Sequence, residues 1–161
     1  MRTLLKLLAA VAACALVVAC AARMRRAPAS HAGALPKMVR VQVREGGRLV
    51  VRSVPIEDYA AGAAIAEFDP ANGSTEAVQR MFEVQSIIAR TYAAMHQGRH
   101  AAEGFDLCST THCQLFDPAR LAHSKWAHAV DSAVSRTRGE LLFFHDAPAR
   151  VFFHADCGGR T

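Results

Sequence analysis

The stretch from Val54 to Glu67 constrains the fold of this chain more than any other. Proline is tolerated in the first turn of a helix, so Pro55 or Ile56 can begin one. Glu57 and Asp58 then fall where the helix dipole favours negative charge. At about 100° per residue, Ile56, Ala60, Ala63 and Glu67 form one stripe, with Tyr59 beside it. Glu67 is thus a carboxylate at the end of an otherwise apolar face. If that face is buried, desolvation favours the protonated carboxyl, as a general acid requires. If the helix instead ends in solvent, Glu67 is only its polar terminus, and the pattern alone leaves both readings open.

The rest of the chain frames this helix. Met1–Ala22 has the form of an export signal: Arg2 and Lys6 supply a positive start, and Leu7–Val18 is uncharged but short for a membrane span. Val17-Val18-Ala19-Cys20 is similar to a lipobox, which would put a lipid on Cys20; cleavage near Ala21 or Ala22 is the alternative. Residues 23–37 read as a flexible tether, which leaves 38–161 as one domain. The formal charge of +5 falls by two to +3 once Arg2 and Lys6 are removed, and Arg23, Arg25 and Arg26 sit beside the leader. A folded part so close to neutral argues against a nucleic-acid partner. Contact with a membrane is expected only through the leader or a lipid on Cys20.

Val39, Val41 and Val43 alternate with Arg40, Gln42 and Arg44. Gly46-Gly47 supplies a turn, and Leu49–Val54 returns, which predicts a hairpin. Pro70 disfavours helix at Asp69 and so ends the first helix. Ser74 or Thr75 can cap a second, Glu76–His96, with Val78, Phe82, Ala89 and Tyr92 on its apolar stripe and Met81 alongside. Gln85 lies on the same stripe, either buried with a polar partner such as Glu67 or at the wetted edge. Residues 97–120 carry no core period. A third helix is expected over Pro118–Arg136, followed by a hairpin of Leu141–Phe144 and Val151–His154 about Asp146-Ala147-Pro148. His31, His96, His123, His128 and His145 read as surface residues. The fold class is α+β: β-hairpins flanking a few helices.

Cys108-Ser-Thr-Thr-His112-Cys113 is the densest group of soft ligands. It could place three ligands on one zinc, with His100 or a residue near Cys157 as the fourth. An exported compartment equally permits a Cys108–Cys113 disulfide. Cys14 and Cys20 lie in the leader, which leaves Cys108, Cys113 and Cys157, and three thiols cannot all pair internally. A thiol or metal protein centred on them is a further reading. Cys157 after His154 could serve a cysteine hydrolase, although no helix N-terminus is evident to activate it.

Four blocks carry a resemblance. They are Val54-Pro55-Ile56-Glu57-Asp58-Tyr59 with Glu67, Gln85 to Ala93 with Arg90, Thr91 and Tyr92, Asp106 to Gln114 with Cys108, His112 and Cys113, and His154 to Thr161 with Cys157-Gly158-Gly159. In this order they resemble the SpoIID/LytB family. The resemblance implies a peptidoglycan-directed protein with a glycan-binding cleft. Its activity would be that of a lytic transglycosylase acting on MurNAc–GlcNAc strands, or else that of a non-catalytic, wall-binding enhancer of a cell-wall amidase. It also implies Glu67 as the catalytic acid and zinc held by Cys108, His112 and Cys113, with His100 the nearest candidate to complete the site. Gln85, Arg90, Tyr92 and His154 are expected to contact or orient the sugar. Family domains continue past the Cys-Gly-Gly block, so the C-terminal part of the domain is expected to be incomplete, and Met81-Phe82-Glu83 departs from the family pattern in the second helix.

Overall fold

The structure is a computed structural model, and it describes residues 35–152. The export signal with Cys20, most of the tether, His154 and Cys157 lie outside the described residues. The architecture is α+β, as expected. Strands β1 (Met38–Glu45) and β2 (Arg48–Pro55) pair antiparallel, from Met38 opposite Pro55 to Glu45 opposite Arg48. Gly46 and Gly47 close the hairpin at φ 53° and 82°, the left-handed pair that a two-residue turn of this twist demands. Val39 and Val41 are buried and Arg40 faces out, so the alternation in β1 does mark a core face.

Helix α1 (Ile56–Glu67) follows β2 directly, and the Ile56 N–H is satisfied by the carbonyl of Lys37. The stripe predicted for it is too narrow, because every residue from Tyr59 to Ala66 is buried. Tyr59, Ala60 and Ala63 join Val39, Val41, Phe105 and Leu107 in one core cluster. Ala61, Ala64 and Ile65 join Val78, Phe82, Val130 and Val134 in a second. A helix that is apolar all round is a buried one, and the small side chains let elements approach from both sides. The closest approach is at Gly62, where an added Cβ would lie 2.6 Å from the Phe116 ring.

Helix α2 (Thr75–Met95) is capped by Ser74, whose hydroxyl accepts from the Ala77 N–H at 3.3 Å. Val78, Phe82, Ala89 and Tyr92 are buried as expected, but Met81 is 46% exposed. The single helix expected over Pro118–Arg136 is two, α3 (Pro118–His123) and α4 (Ala127–Arg136). Ser124 turns extended between them, and the Trp126 indole donates to the Pro70 carbonyl at 2.8 Å. That anchor swings α4 off the axis of α3 and against α2.

The segment 97–120 is more ordered than its sequence implies. It holds an antiparallel bridge between His100 and Phe105, and β3 (Leu107–Cys108), which runs parallel to β1 and completes the order β2-β1-β3. Asp106 pins its start, accepting from the Arg40 backbone N–H at 2.8 Å, the Arg40 guanidinium at 2.9 Å and the Gly98 N–H at 3.2 Å. Burial opposes ionisation of Asp106, yet these donors hold its pKa below the usual value. The closing hairpin turns earlier than predicted. β4 (Phe143–Phe144) pairs with β5 (Ala147–Pro148) about His145 and Asp146, at φ 49° and 62°.

Gly62→Ala should lower stability by about 1–3 kcal/mol, the usual cost of overpacking a close contact. Thermal unfolding reads it, and an unchanged midpoint would mean that Phe116 can withdraw freely.

Candidate active site and metal centre

Glu67 is the last residue of α1, so its side chain leaves the buried helix where the core opens into a cavity of about 690 Å³. Gln85, Ile88, Tyr92 and His96 line one wall from α2, and Thr111, His112 and Cys113 line another. Among the described residues Glu67 is the sole carboxylate on this lining. Its Oε1 accepts the Leu115 backbone N–H at 3.0 Å, which ties the end of α1 to the Cys/His loop. Gln85 is half-buried in the same cavity but makes no hydrogen bond to Glu67, so the wetted-edge reading is the one that fits.

Tyr92 is 5% exposed and its ring stacks on His96 with centroids 4.1 Å apart. Burial raises the Tyr92 phenol above its ordinary pKa. His96, expected at the surface, is instead a cleft residue. The signal was present in the sequence, since it lies four residues after Tyr92 on the face that carries Gln85. Arg99 also lines the cleft and was overlooked.

Arg90 is not where a sugar contact was expected. It is fully buried and donates to Glu57 at 2.6 and 2.9 Å, to the Val134 carbonyl at 2.8 Å and to the Thr137 hydroxyl at 3.1 Å. A charge so deep needs a paired carboxylate and satisfied donors, and those partners lie on α1 and α4 rather than in the cavity. The remaining sugar-contact candidate, His154, falls outside the described residues.

His100, Cys108, His112 and Cys113 converge, with one ligand atom from each lying within 4.8 Å of all the others. The two cysteines are free thiols rather than a disulfide. His100 Nε2 is 3.3 Å from Cys113 Sγ, and His112 Nδ1 is 3.6 Å from each sulfur. Zinc bonds of about 2.0–2.3 Å put tetrahedral ligand atoms roughly 3.3–3.8 Å apart, so these three spacings fit a Cys₂His₂ centre, and the full set would need to draw in from its 4.8 Å spread. The other nitrogen of His100 meets Glu103 at 2.6 Å, the kind of outer carboxylate that orients a metal-bound imidazole. Burial disfavours the Cys108 thiolate, but hydrogen bonds from Thr110, Cys113 and His112 outweigh it and bring its pKa to about 6. Burial pushes Cys113 up to about 11, and the neighbouring Cys108 sulfur adds to the rise. The pair therefore shares one proton across neutral pH.

A profile of the SpoIID family, described as Stage II sporulation protein, matches residues 44–144, a span that contains Glu67, Gln85 and all four candidate ligands. The chain belongs to the SpoIID family. An uncharacterised protein of Brachyspira hyodysenteriae is 33% identical to it over 114 residues, which cover 70% of this chain and 28% of that protein. The chain thus spans under a third of the length of that relative. SpoIID membership links the domain to cell-wall-related work and, at the level of the family, to peptidoglycan hydrolysis.

Two outcomes follow. Arg90→Met should cost roughly 3–5 kcal/mol by leaving Glu57 uncompensated, seen as a lowered denaturant midpoint, whereas a sugar-contact role would leave folding untouched. Zinc uptake between pH 7 and 8 must displace the remaining thiol proton, so apparent affinity should rise about tenfold per pH unit. Competition titrations with a chelator at several pH values check the slope, and a flat profile would mean that both thiols are already ionised.

Proposed function

We propose that this SpoIID domain is an exported lytic transglycosylase that cleaves the β-1,4 bond between MurNAc and GlcNAc in peptidoglycan strands, with Glu67 as acid and then base. The observation that carries this reading is that Glu67 is the sole carboxylate on the cavity lining among the described residues. Glycosidases that use water as acceptor commonly need two carboxyl groups, about 5–9.5 Å apart across the bond. A transglycosylase needs one, because the C6 hydroxyl of the muramic acid attacks its own anomeric carbon. The Glu67 carboxyl gives its proton to the leaving glycosidic oxygen, and the resulting carboxylate takes the proton of the C6 hydroxyl as the new C–O bond forms. The products are a 1,6-anhydro end and a free 4-hydroxyl on the departing GlcNAc. The Leu115 N–H supports this role by fixing one carboxylate oxygen and leaving the other for the substrate. Gln85 and Tyr92 line the same cavity as Glu67 and would flank a strand bound there.

Zinc on His100, Cys108, His112 and Cys113 would be structural, since four protein ligands leave no open position. When bound it would lock the loop that carries the Leu115 N–H, two residues beyond Cys113. Loss of the metal should therefore loosen the hold on Glu67. The leader of the sequence supports delivery to the cell envelope, where the substrate lies.

Glu67→Gln should lower the yield of anhydro-ended sugars from purified glycan strands by roughly 10²–10⁴-fold, measured by mass spectrometry with matched circular-dichroism spectra. Undiminished yield would end the catalytic reading. Failure of the unaltered protein to make such ends, together with stimulation of an amidase that survives Glu67→Gln, would identify a wall-binding enhancer instead.

A further inference from the structure

Beside the cavity that holds Glu67 lies a second one of about 470 Å³. The two share His96, Arg99, Val151 and Phe152, so they are adjoining parts of one cleft. The second part differs in its charge. Arg99 and Arg150 both line it, both are exposed, and no carboxylate lines it among the described residues. Six of the described arginines, Arg40, Arg52, Arg80, Arg90, Arg120 and Arg136, each meet an Asp or Glu, whereas Arg44, Arg48 and Arg138 do not but line no part of this cleft. Among the described residues neither Arg99 nor Arg150 makes a side-chain hydrogen bond or ion pair with an acid, although Arg99 acts electrostatically on Tyr92 and Cys113 across the cleft. Two unpaired guanidinium groups facing one concavity, next to an apolar wall of Val151 and Phe152, make a site for an anion carried on a larger, partly apolar body.

We infer that Arg99 and Arg150 form a carboxylate-binding subsite that holds the acid of a muramic acid residue while the sugar chain runs past Glu67. This rests on the glycan reading above. GlcNAc is neutral, whereas muramic acid bears a lactyl group on O3. That lactyl carboxylate is free in strands without peptides, and in peptide-bearing strands the acid groups sit on the stem. A planar guanidinium matches a carboxylate in two-pronged fashion, so the pair would set register by placing muramic acid, rather than GlcNAc, in one defined position of the cleft.

The test is calorimetric binding to the full chain carrying Glu67→Gln, which halts turnover. The ligands are a GlcNAc–MurNAc tetrasaccharide with free lactyl acids, its lactyl methyl ester, the peptide-bearing tetrasaccharide and chitotetraose. Arg99→Gln and Arg150→Gln should each weaken binding of the free acid about tenfold, the scale of a charge-assisted hydrogen bond. Chitotetraose should bind them unchanged, and the ester should bind the parent protein as weakly as the acid binds the variants. Arg99→Lys should restore part of the loss, and unfolding midpoints should not move, because neither side chain holds another in place. Preference for the peptide-bearing strand, lost in both variants, would assign the carboxylate to the stem; preference for the free acid would assign it to the lactyl group. Equal binding of acid and ester, or variants that bind the acid like the parent, would overturn the subsite alone. Binding of none of the four would overturn the glycan reading, and the subsite with it.

Discussion

The contact on which the rest of the domain depends is the buried pair between Arg90 and Glu57. Arg90 stands in the C-terminal third of α2, Glu57 in the first turn of α1, and the remaining donors of the guanidinium reach Val134 and Thr137 at the end of α4. The other Glu57 oxygen accepts the Gly139 N–H at 3.3 Å, so the carboxylate also fastens the chain that leaves α4. Apolar helices can slide over one another at little cost, whereas a buried charge with several directed donors has one satisfied arrangement. The pair thus fixes the angle between α1 and α2, and with it the spacing of Glu67 from Gln85, Tyr92 and His96.

The second wall of the cleft is built by different means. Asp106 binds the start of the Cys/His segment to β1, β3 adds it to the sheet, and Phe116 stacks on Tyr59 with centroids 5.3 Å apart while it presses on Gly62. The loop that bears Cys108, His112 and Cys113 is therefore clamped at both ends before any metal is considered. Between the clamps the loop is held by the Ser109 N–H on the Gln42 carbonyl and the Cys113 N–H on the Thr110 carbonyl, both at 3.0 Å.

Local signals decided how much could be read beforehand. The first hairpin was legible because strict alternation and a Gly-Gly turn are both short-range facts. The break after His123 was not, because it goes with the bond of the Trp126 indole to the Pro70 carbonyl, a partner distant in sequence. β3 escaped for the same reason: two residues carry no period, and its strand character comes from pairing with β1. At the site, Glu67 and the four candidate ligands were visible as residue types at suggestive spacing. Arg90 misled because it sits in a block shared with the family, and residues of a shared block serve the core as readily as the cleft. His96 continues the Tyr92 face by one further turn, and that periodicity outweighs the usual surface preference of a helical histidine.

These observations join at Leu115. Its N–H belongs to the segment that follows Cys113, and its acceptor is the carboxylate that ends the most buried helix in the domain. This hydrogen bond joins the two walls at the cleft itself, beside the Tyr59 hydroxyl that donates to Gln114 at 2.9 Å and the Asp117 N–H that donates to the Gly62 carbonyl at 3.2 Å. One wall is held by the Arg90–Glu57 pair and the other by Asp106, Phe116 and the Cys/His segment. Displacing either wall would shift Glu67 relative to anything lying in the cleft, and displacements of about 1 Å in a reacting group are enough to cost two orders of magnitude in rate. The four candidate ligands therefore have a physical reason to sit beside Glu67 without touching it. Cys113 lies only two residues before Leu115, the partner of that carboxylate.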